Sequence, residues 1–139
     1  MTNDKQKNAE LQMTNQKPST ERVFDLSDRT EVFAKDVIDL VRTIKRDVIN
    51  NPLISQIIRS STSVGANYME ADCAQSKKDF IHKISLCKKE AKETIYWLRI
   101  IAYVNKGVVE ACKRLEQESY ELVRIFSGII KSSRANDKK

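Results

Sequence analysis

The residues best suited to chemistry form a cationic stripe within residues 76–106. Their positions recur at alternating steps of four and three, which places side chains on one face of an α-helix. The stripe consists of Lys78, His82, Ser85, Lys89, Lys92, Tyr96, Arg99, Tyr103 and Lys106. Cationic side chains bind phosphates without sequence preference, and exposed tyrosines stack on bases. The residues that we predict to bind nucleic acid are Lys78, Lys89, Lys92, Tyr96, Arg99, Tyr103 and Lys106.

The positive charge is concentrated in this segment. The net charge is +6, and residues 76–107 contribute +5 through eight basic and three acidic residues. Residues 23–50 are nearly balanced, with five basic and six acidic residues. A localised basic surface indicates a polyanionic partner, either RNA or DNA. Two alternatives remain: a purely solvated lysine-rich face, or a protein-interaction scaffold that docks an acidic protein.

A second polar group has spacings of four, four and three, which again indicates one helical face. Its members are Arg59, Ser63, Asn67 and Glu70. We interpret them as a buried polar network that fixes helix register, because a buried carboxylate such as Glu70 needs a cationic or hydrogen-bonding partner. The alternative is an active site.

The sequence offers little support for catalysis or metal binding. His82 is the single histidine, whereas a ferritin-like metal site needs Glu-x-x-His motifs from several helices. Helical RNA-cleaving toxin domains often carry an arginine shortly before a histidine, and here only Lys77 or Lys78 could replace it. Glycine-rich phosphate loops are absent from the sequence. We therefore predict a non-enzymatic protein with no cofactor and no metal site.

The cysteines and the hydropathy pattern bear on location. Cys73, Cys87 and Cys112 are odd in number and irregularly spaced, so we expect reduced core thiols in a cytoplasmic protein. No apolar run approaches the roughly 20 residues of a membrane span, and the polar N-terminus lacks a signal core.

The elements that position these residues are predicted to be four helices. Only three glycines and two prolines interrupt a chain that is 40% hydrophobic, which favours an all-α fold. The helices are expected at 27–47, 52–73, 76–106 and 108–131, and short connections imply an antiparallel up-down-up-down four-helix bundle. This bundle spans residues 23–131. Residues 1–22 are expected to be disordered, and 132–139 to form a flexible C-terminal tail.

Local signals define the helix ends. Asn51 is a candidate N-cap with Pro52 in the first helical position. Ser76 and Asp79 form a variant capping box, and Gly107 is a candidate left-handed cap. Residues 60–67 are rich in small side chains, so a loop is the alternative to a helix there. We favour the helix because the periodic pattern continues on both sides.

Apolar stripes complete the pattern. The apolar residues of the second helix include Leu53, Ile57, Val64 and Met69. The apolar stripe of the third helix consists of Phe80, Ile84, Cys87, Ala91, Ile95, Leu98 and Ala102. A further stripe on the third helix contains Trp97, Ile100 and Val104. It would be additional core in a monomer, but a helix in a small bundle rarely buries more than about half its circumference. We therefore predict an oligomer interface.

Three segments resemble a known family. They are Arg59-Ser-Ser-Thr-Ser-Val-Gly-Ala-Asn-Tyr-Met-Glu70, Ser76-Lys-Lys-Asp-Phe80 and Glu93-Thr-Ile-Tyr-Trp-Leu98. These segments are similar to those of the four helix bundle protein family, which includes proteins encoded by intervening sequences in bacterial 23S rRNA genes. It also includes accessory proteins of diversity-generating retroelements. One departure is Glu70-Ala71, where the family commonly has Glu-Gly.

The resemblance carries expectations about assembly and partners. It implies a four-helix bundle, often a ring-shaped homopentamer with a basic surface. For the retroelement relatives it also implies binding to a reverse transcriptase and to nucleic acid.

Overall fold

The computed structural model describes residues 25–136, which fold into four α-helices and one short 3-10 turn. The helices are α1 Leu26–Arg42, α2 Asn50–Asp72, α3 Lys77–Val104 and α4 Val109–Asn136, and the turn Lys106–Val108 joins α3 to α4. The disorder predicted for 1–22 lies outside the described residues.

Each helix packs on the next in the chain, and α4 returns to α1. The α2–α3 contacts run from Asn50 beside Asn105 at one end to Glu70 beside Lys83 at the other, so the two helices are antiparallel. Arg29 of α1 bonds to Glu118 of α4 at 2.6 Å. The predicted all-α, antiparallel up-down-up-down four-helix bundle is confirmed.

The core consists of the apolar stripes that the periodicity predicts. Phe33, Val37, Ile57, Ile84 and Leu98 are almost completely buried. Removing this apolar surface from water stabilises the bundle by roughly 25 cal/mol per Å². Met69 is an exception, because its side chain is 66% exposed and the prediction that it joins the core is wrong.

Residues 60–67 lie within α2, so the helix interpretation is confirmed. The Ser60 and Thr94 hydroxyl oxygens are 2.9 Å apart and fully buried, forming a polar contact between α2 and α3. Gly65 allows α1 to approach closely, since a Cβ there would lie 3.2 Å from Thr30 Oγ1. Ala71 is buried and leaves the helix intact to Asp72.

The connection between α1 and α2 differs from the prediction. Helix α1 ends at Arg42, and the Asp47 carboxylate accepts hydrogen bonds from the backbone N–H groups of Ile49 at 3.0 Å and Asn50 at 2.8 Å. Because Asp47 satisfies these first donors, α2 begins upstream of Asn51. The prediction that Asn51 caps this helix is wrong.

The ends of α3 follow the sequence signals only in part. Ser76 Oγ accepts a hydrogen bond from Asp79 N at 3.0 Å, which confirms the N-cap. At the other end Gly107 lies in the 3-10 turn without positive φ, so the left-handed cap is wrong. Asn105 instead donates its side-chain amide to the Ile101 carbonyl at 3.0 Å and satisfies one of the final acceptors.

Helix α4 continues to Asn136, beyond the predicted end at 131. The first five residues of the expected flexible tail are therefore helical, and the boundary placed at 131 is wrong. Between residues 25 and 136, no helix is long and apolar enough to cross a membrane.

The three thiols have two different environments. Cys87 and Cys112 are buried, and desolvation raises their thiol pKa values to about 12 and about 11. Cys73 caps the C-terminus of α2 and is exposed, so the prediction that all three are core thiols is wrong for Cys73.

Candidate nucleic-acid interface

The solvent face of α3 presents the predicted cationic stripe. Packing of its apolar stripe into the bundle turns Lys78, Lys89 and Lys92 outwards, and Lys106 is exposed in the following turn. None of these four side chains forms an ion pair with residues in the described range 25–136. At about 1.5 Å per residue, this surface is about 42 Å long. Its charge is thus available to an external anion.

Arg99 has a different environment from the lysines. Its Nε donates to Glu116 Oε1 of α4 at 2.7 Å, and its Nη2 donates to the Tyr120 hydroxyl. The hydrogen bond to Glu116 raises the Arg99 pKa. Because this carboxylate offsets the guanidinium charge, Arg99 is a weaker anion ligand than its neighbours on α3.

Two of the tyrosine rings on this face are accessible. The Tyr96 side chain is 56% exposed and meets the Trp97 ring edge-on, with centroids 5.0 Å apart. Tyr103 is 74% exposed, and Lys106 Nζ lies 4.8 Å from its ring centroid. Both rings therefore have surface that a nucleobase can contact.

The remaining stripe positions have simpler roles. The Ser85 hydroxyl donates to the Ile81 carbonyl of its own helix at 2.9 Å, and His82 is exposed. In the part of the chain that the structure describes, no group of three or more His, Cys, Asp or Glu side chains could hold a metal ion.

A second row of cations, on α4, was not predicted from the sequence. Positions 113, 117, 120, 124, 127, 131 and 134 recur at the same alternating steps of four and three as the α3 stripe. Lys113, Arg124, Lys131 and Arg134 are exposed on it, beside the Tyr120 that contacts Arg99. The periodicity was therefore visible in the sequence, but only the fold places this row next to α3.

The four residues predicted to form a polar network lie on the surface of α2, where they bond to the α2 backbone or to α3. The Ser63 hydroxyl donates to the Arg59 carbonyl, and the Asn67 side-chain amide donates to the Ser63 carbonyl. Each acceptor lies one turn earlier in α2. Arg59 pairs with Glu90 and Glu93 of α3, and Glu70 pairs with Lys83 of α3 at 2.8 Å.

Arg59 and Glu70 are exposed, so the expectation that the network is buried is wrong. The hydroxyl and amide groups that are buried at helix contacts instead belong to Thr30, Asn50, Ser60, Ser61, Thr94 and Ser119.

The predicted oligomer interface lies on the α2 side of the outer face of α3. Trp97 packs partly against the core and donates its Nε1–H to Glu93 at 2.9 Å. Ile100 is half-buried, and Val104 is exposed. Trp97 is therefore partly core, whereas Ile100 and Val104 leave apolar surface in contact with solvent.

Comparison with known proteins gives consistent results. The family model described as "23S rRNA-intervening sequence protein" matches residues 23–128. A similar solved structure is that of a protein with unknown function from the S23 ribosomal protein family of Bacteroides thetaiotaomicron VPI-5482. The two chains are 35% identical with a TM-score of 0.68, and the match covers 76% of this chain and 97% of that chain. No curated protein matches. The chain therefore belongs to the 23S rRNA-intervening sequence protein family.

Proposed function

We propose that this protein binds nucleic acid through the exposed face of α3 and catalyses no reaction. The observation that carries the proposal is the set of exposed lysines without ion-pair partners in the range 25–136, alongside two accessible tyrosines. Surface lysines that pair with carboxylates on their own protein have less charge to offer a ligand. Unpaired lysines can release counterions from a nucleic-acid backbone, which is the main source of non-specific affinity.

The side chains on this face have distinct tasks in the proposed complex. Lys78, Lys89, Lys92 and Lys106 contact phosphates, while Tyr96 and Tyr103 stack on bases. Arg99 contributes less, because Glu116 and Tyr120 already accept two of its N–H donors. Contacts of this kind give little sequence specificity and suit either RNA or DNA.

Self-association is the second part of the proposal. Ile100 and Val104, with the exposed edge of Trp97, form an apolar strip that another copy of the chain can cover. The family resemblance supports a homopentameric ring, and the odd number and irregular spacing of the cysteines support a cytoplasmic location. Such a ring repeats the α3 face in every subunit, so one long polyanion can contact several copies at once.

The test compares two charge-matched variants. Lys89→Gln/Lys92→Gln removes two cations from α3, whereas Lys35→Gln/Arg42→Gln removes two from α1. Fluorescence anisotropy measures the Kd of labelled 20-nucleotide RNA and DNA over a range of salt concentrations. We expect the α3 variant to bind at least tenfold more weakly and to reduce the salt slope by about 1.4 to 1.8, since each lost phosphate contact removes about 0.7 to 0.9.

The α1 variant should bind within about twofold of the wild type, because its substituted residues lie away from α3. Equal affinities for the wild type and the α3 variant would contradict the proposal. If the isolated wild-type protein bound neither RNA nor DNA, the alternative of an acidic protein partner, such as a reverse transcriptase, would be favoured.

A further inference from the structure

A groove on the surface between α3 and α4 adjoins the α3 face but is not part of it. It has a volume of about 490 Å³ and lies along the C-terminal half of α4. Its lining residues are Lys88, Ser127, Ile130, Lys131, Arg134 and Ala135. Lys88 comes from α3, and the other five residues come from α4.

The charge lining this groove is entirely positive. Lys88, Lys131 and Arg134 are its ionisable residues, and no carboxylate lines it. Within residues 25–136, none of the three forms an ion pair. Three cations around one groove repel each other, and an anion bound between them offsets this repulsion, so the arrangement favours an anionic ligand.

The floor of the groove increases this preference. Ile130 is buried, and Lys88 is half-exposed. Lysines in such positions generally pack their aliphatic stem on protein and keep the ammonium group in water. A charge beside apolar surface is less well screened than one surrounded by water. The Ser127 hydroxyl already donates to the Val123 carbonyl at 2.8 Å, which leaves the three cations as the anion ligands.

The groove continues the α3 face onto the neighbouring helix. Lys88 precedes Lys92 by four residues and Lys89 by one, so it lies at the edge of the predicted stripe. On α4, Arg124 precedes Lys131 by seven residues, or two turns, on the same face. The cations therefore form two adjacent rows, one on each helix, whose axes are separated by about 8 to 10 Å in packed helices.

We propose that this groove holds a backbone phosphate of the nucleic acid that binds α3, and that the interface spans both helices. The inference rests on the proposed function. The occupant is a nucleic acid and not an acidic peptide, because the groove is continuous with a face that also carries Tyr96 and Tyr103. Lys88, Lys131 and Arg134 contact the phosphate oxygens.

The test uses three substitutions in the groove and three matched ones elsewhere. Lys88→Gln/Lys131→Gln/Arg134→Gln removes three positive charges from the groove. Arg42→Gln/Lys45→Gln/Arg46→Gln removes three from the end of α1 and the following connection, at the end of the bundle where Asn50 bonds to Asn105. Both variants have the same net charge, so a difference between them reports where the charges lie.

Binding of labelled 20-nucleotide RNA is measured by anisotropy against salt concentration, with Lys89→Gln/Lys92→Gln as the α3 reference. We expect the groove variant to bind at least tenfold more weakly and to lower the salt slope by about 2, for three contacts at about 0.7 each. The matched variant should change the Kd by no more than about twofold.

Ser127→Asp provides a second test that retains all three cations. Its carboxylate would occupy the groove and compete with phosphate, so RNA binding should again weaken.

The outcomes separate this inference from the function on which it rests. If the groove variants bind like the matched variant while the α3 reference binds weakly, the groove inference is overturned and the proposed function stands. If the α3 reference also binds like the wild type, both are overturned. Each variant should fold, because the substituted cations are on the surface. Circular dichroism melting checks this.

Discussion

Burial keeps the thiols of Cys87 and Cys112 protonated well above neutral pH. Both side chains are inaccessible, and desolvation raises their pKa values to about 12 and about 11. In an unfolded chain a thiol has a pKa near 8.5, so at high pH the unfolded state loses protons that the folded state retains. Ionisation of the thiols above about pH 8.5 therefore stabilises the unfolded chain, and the fold becomes less stable in alkali.

The free energy of unfolding should therefore fall as the pH rises above about 8.5, up to about 11 for Cys112 and about 12 for Cys87. Below this window the thiols are protonated in both states and have no effect. At pH 10 we expect a loss of about 1 to 2 kcal/mol for each buried thiol, measured by urea unfolding at pH 7.5 and pH 10. The variant Cys87→Ala/Cys112→Ala should show a shallower decline. An equal decline in both proteins would contradict this, since Tyr68, whose pKa burial raises, is present in both.

The positions of single side chains were predictable from periodicity, but their partners were not. The spacing of the α3 stripe placed Lys89, Lys92 and Arg99 on one face, and the structure has all three exposed. The pairing of Arg99 with Glu116 depends on the register between α3 and α4. The same is true of Arg59, whose carboxylate partners lie about 30 residues later on α3. One-helix periodicity carries no information about the neighbouring helix.

The helices themselves could be predicted almost completely, because apolar spacing reports directly on which face is buried. Their ends were less predictable, since several polar residues compete to cap one end. Asp47 and Asn51 both have suitable side chains, and only the backbone path after Arg42 selects Asp47. Gly107 permits a left-handed cap but does not require one, and the 3-10 turn makes it unnecessary.

The contact between α1 and α2 depends on the lack of a side chain at Gly65. A Cβ added there would lie 3.2 Å from Thr30 Oγ1, and the buried Thr30 hydroxyl is fixed by a bond to the Leu26 carbonyl at 2.7 Å. A Cβ added at Gly128 of α4 would meet nothing within 4 Å. The two helical glycines therefore offer a controlled comparison.

Gly128→Ala should raise the free energy of unfolding by about 0.5 to 1 kcal/mol, because alanine is the better helix former. Gly65→Ala should leave the free energy of unfolding unchanged or lower it, since the tight contact with Thr30 offsets the gain in helix propensity. Urea unfolding of both variants at neutral pH measures the difference. Equal stabilisation at the two positions would contradict this prediction, because it would show that α1 and α2 can separate slightly without loss of stability.

Charge is distributed unevenly over the bundle. The four acidic residues of α1 are Asp28, Glu31, Asp36 and Asp39, against three basic ones. Cations predominate instead on the adjoining outer faces of α3 and α4, where Lys89, Lys92 and Arg124 are exposed. Composition revealed the excess on α3, but not that α3 and α4 together form one surface. That surface exists only because the chain folds up-down-up-down.

Assembly can be tested separately from charge at the half-buried Ile100 and the exposed Val104. If the proposed interface is correct, Ile100→Glu/Val104→Glu should have the 16.0 kDa mass of one chain by light scattering, whereas the proposed wild-type pentamer would have a mass of about 80 kDa. Trp97 is unsuitable because it also packs on the core. The control Val32→Glu/Val48→Glu adds the same charge at exposed positions elsewhere and should preserve the assembly.

The interface variant should also bind RNA at least tenfold more weakly than this control, because a single subunit loses multivalent contact. A monomeric wild type would refute the interface.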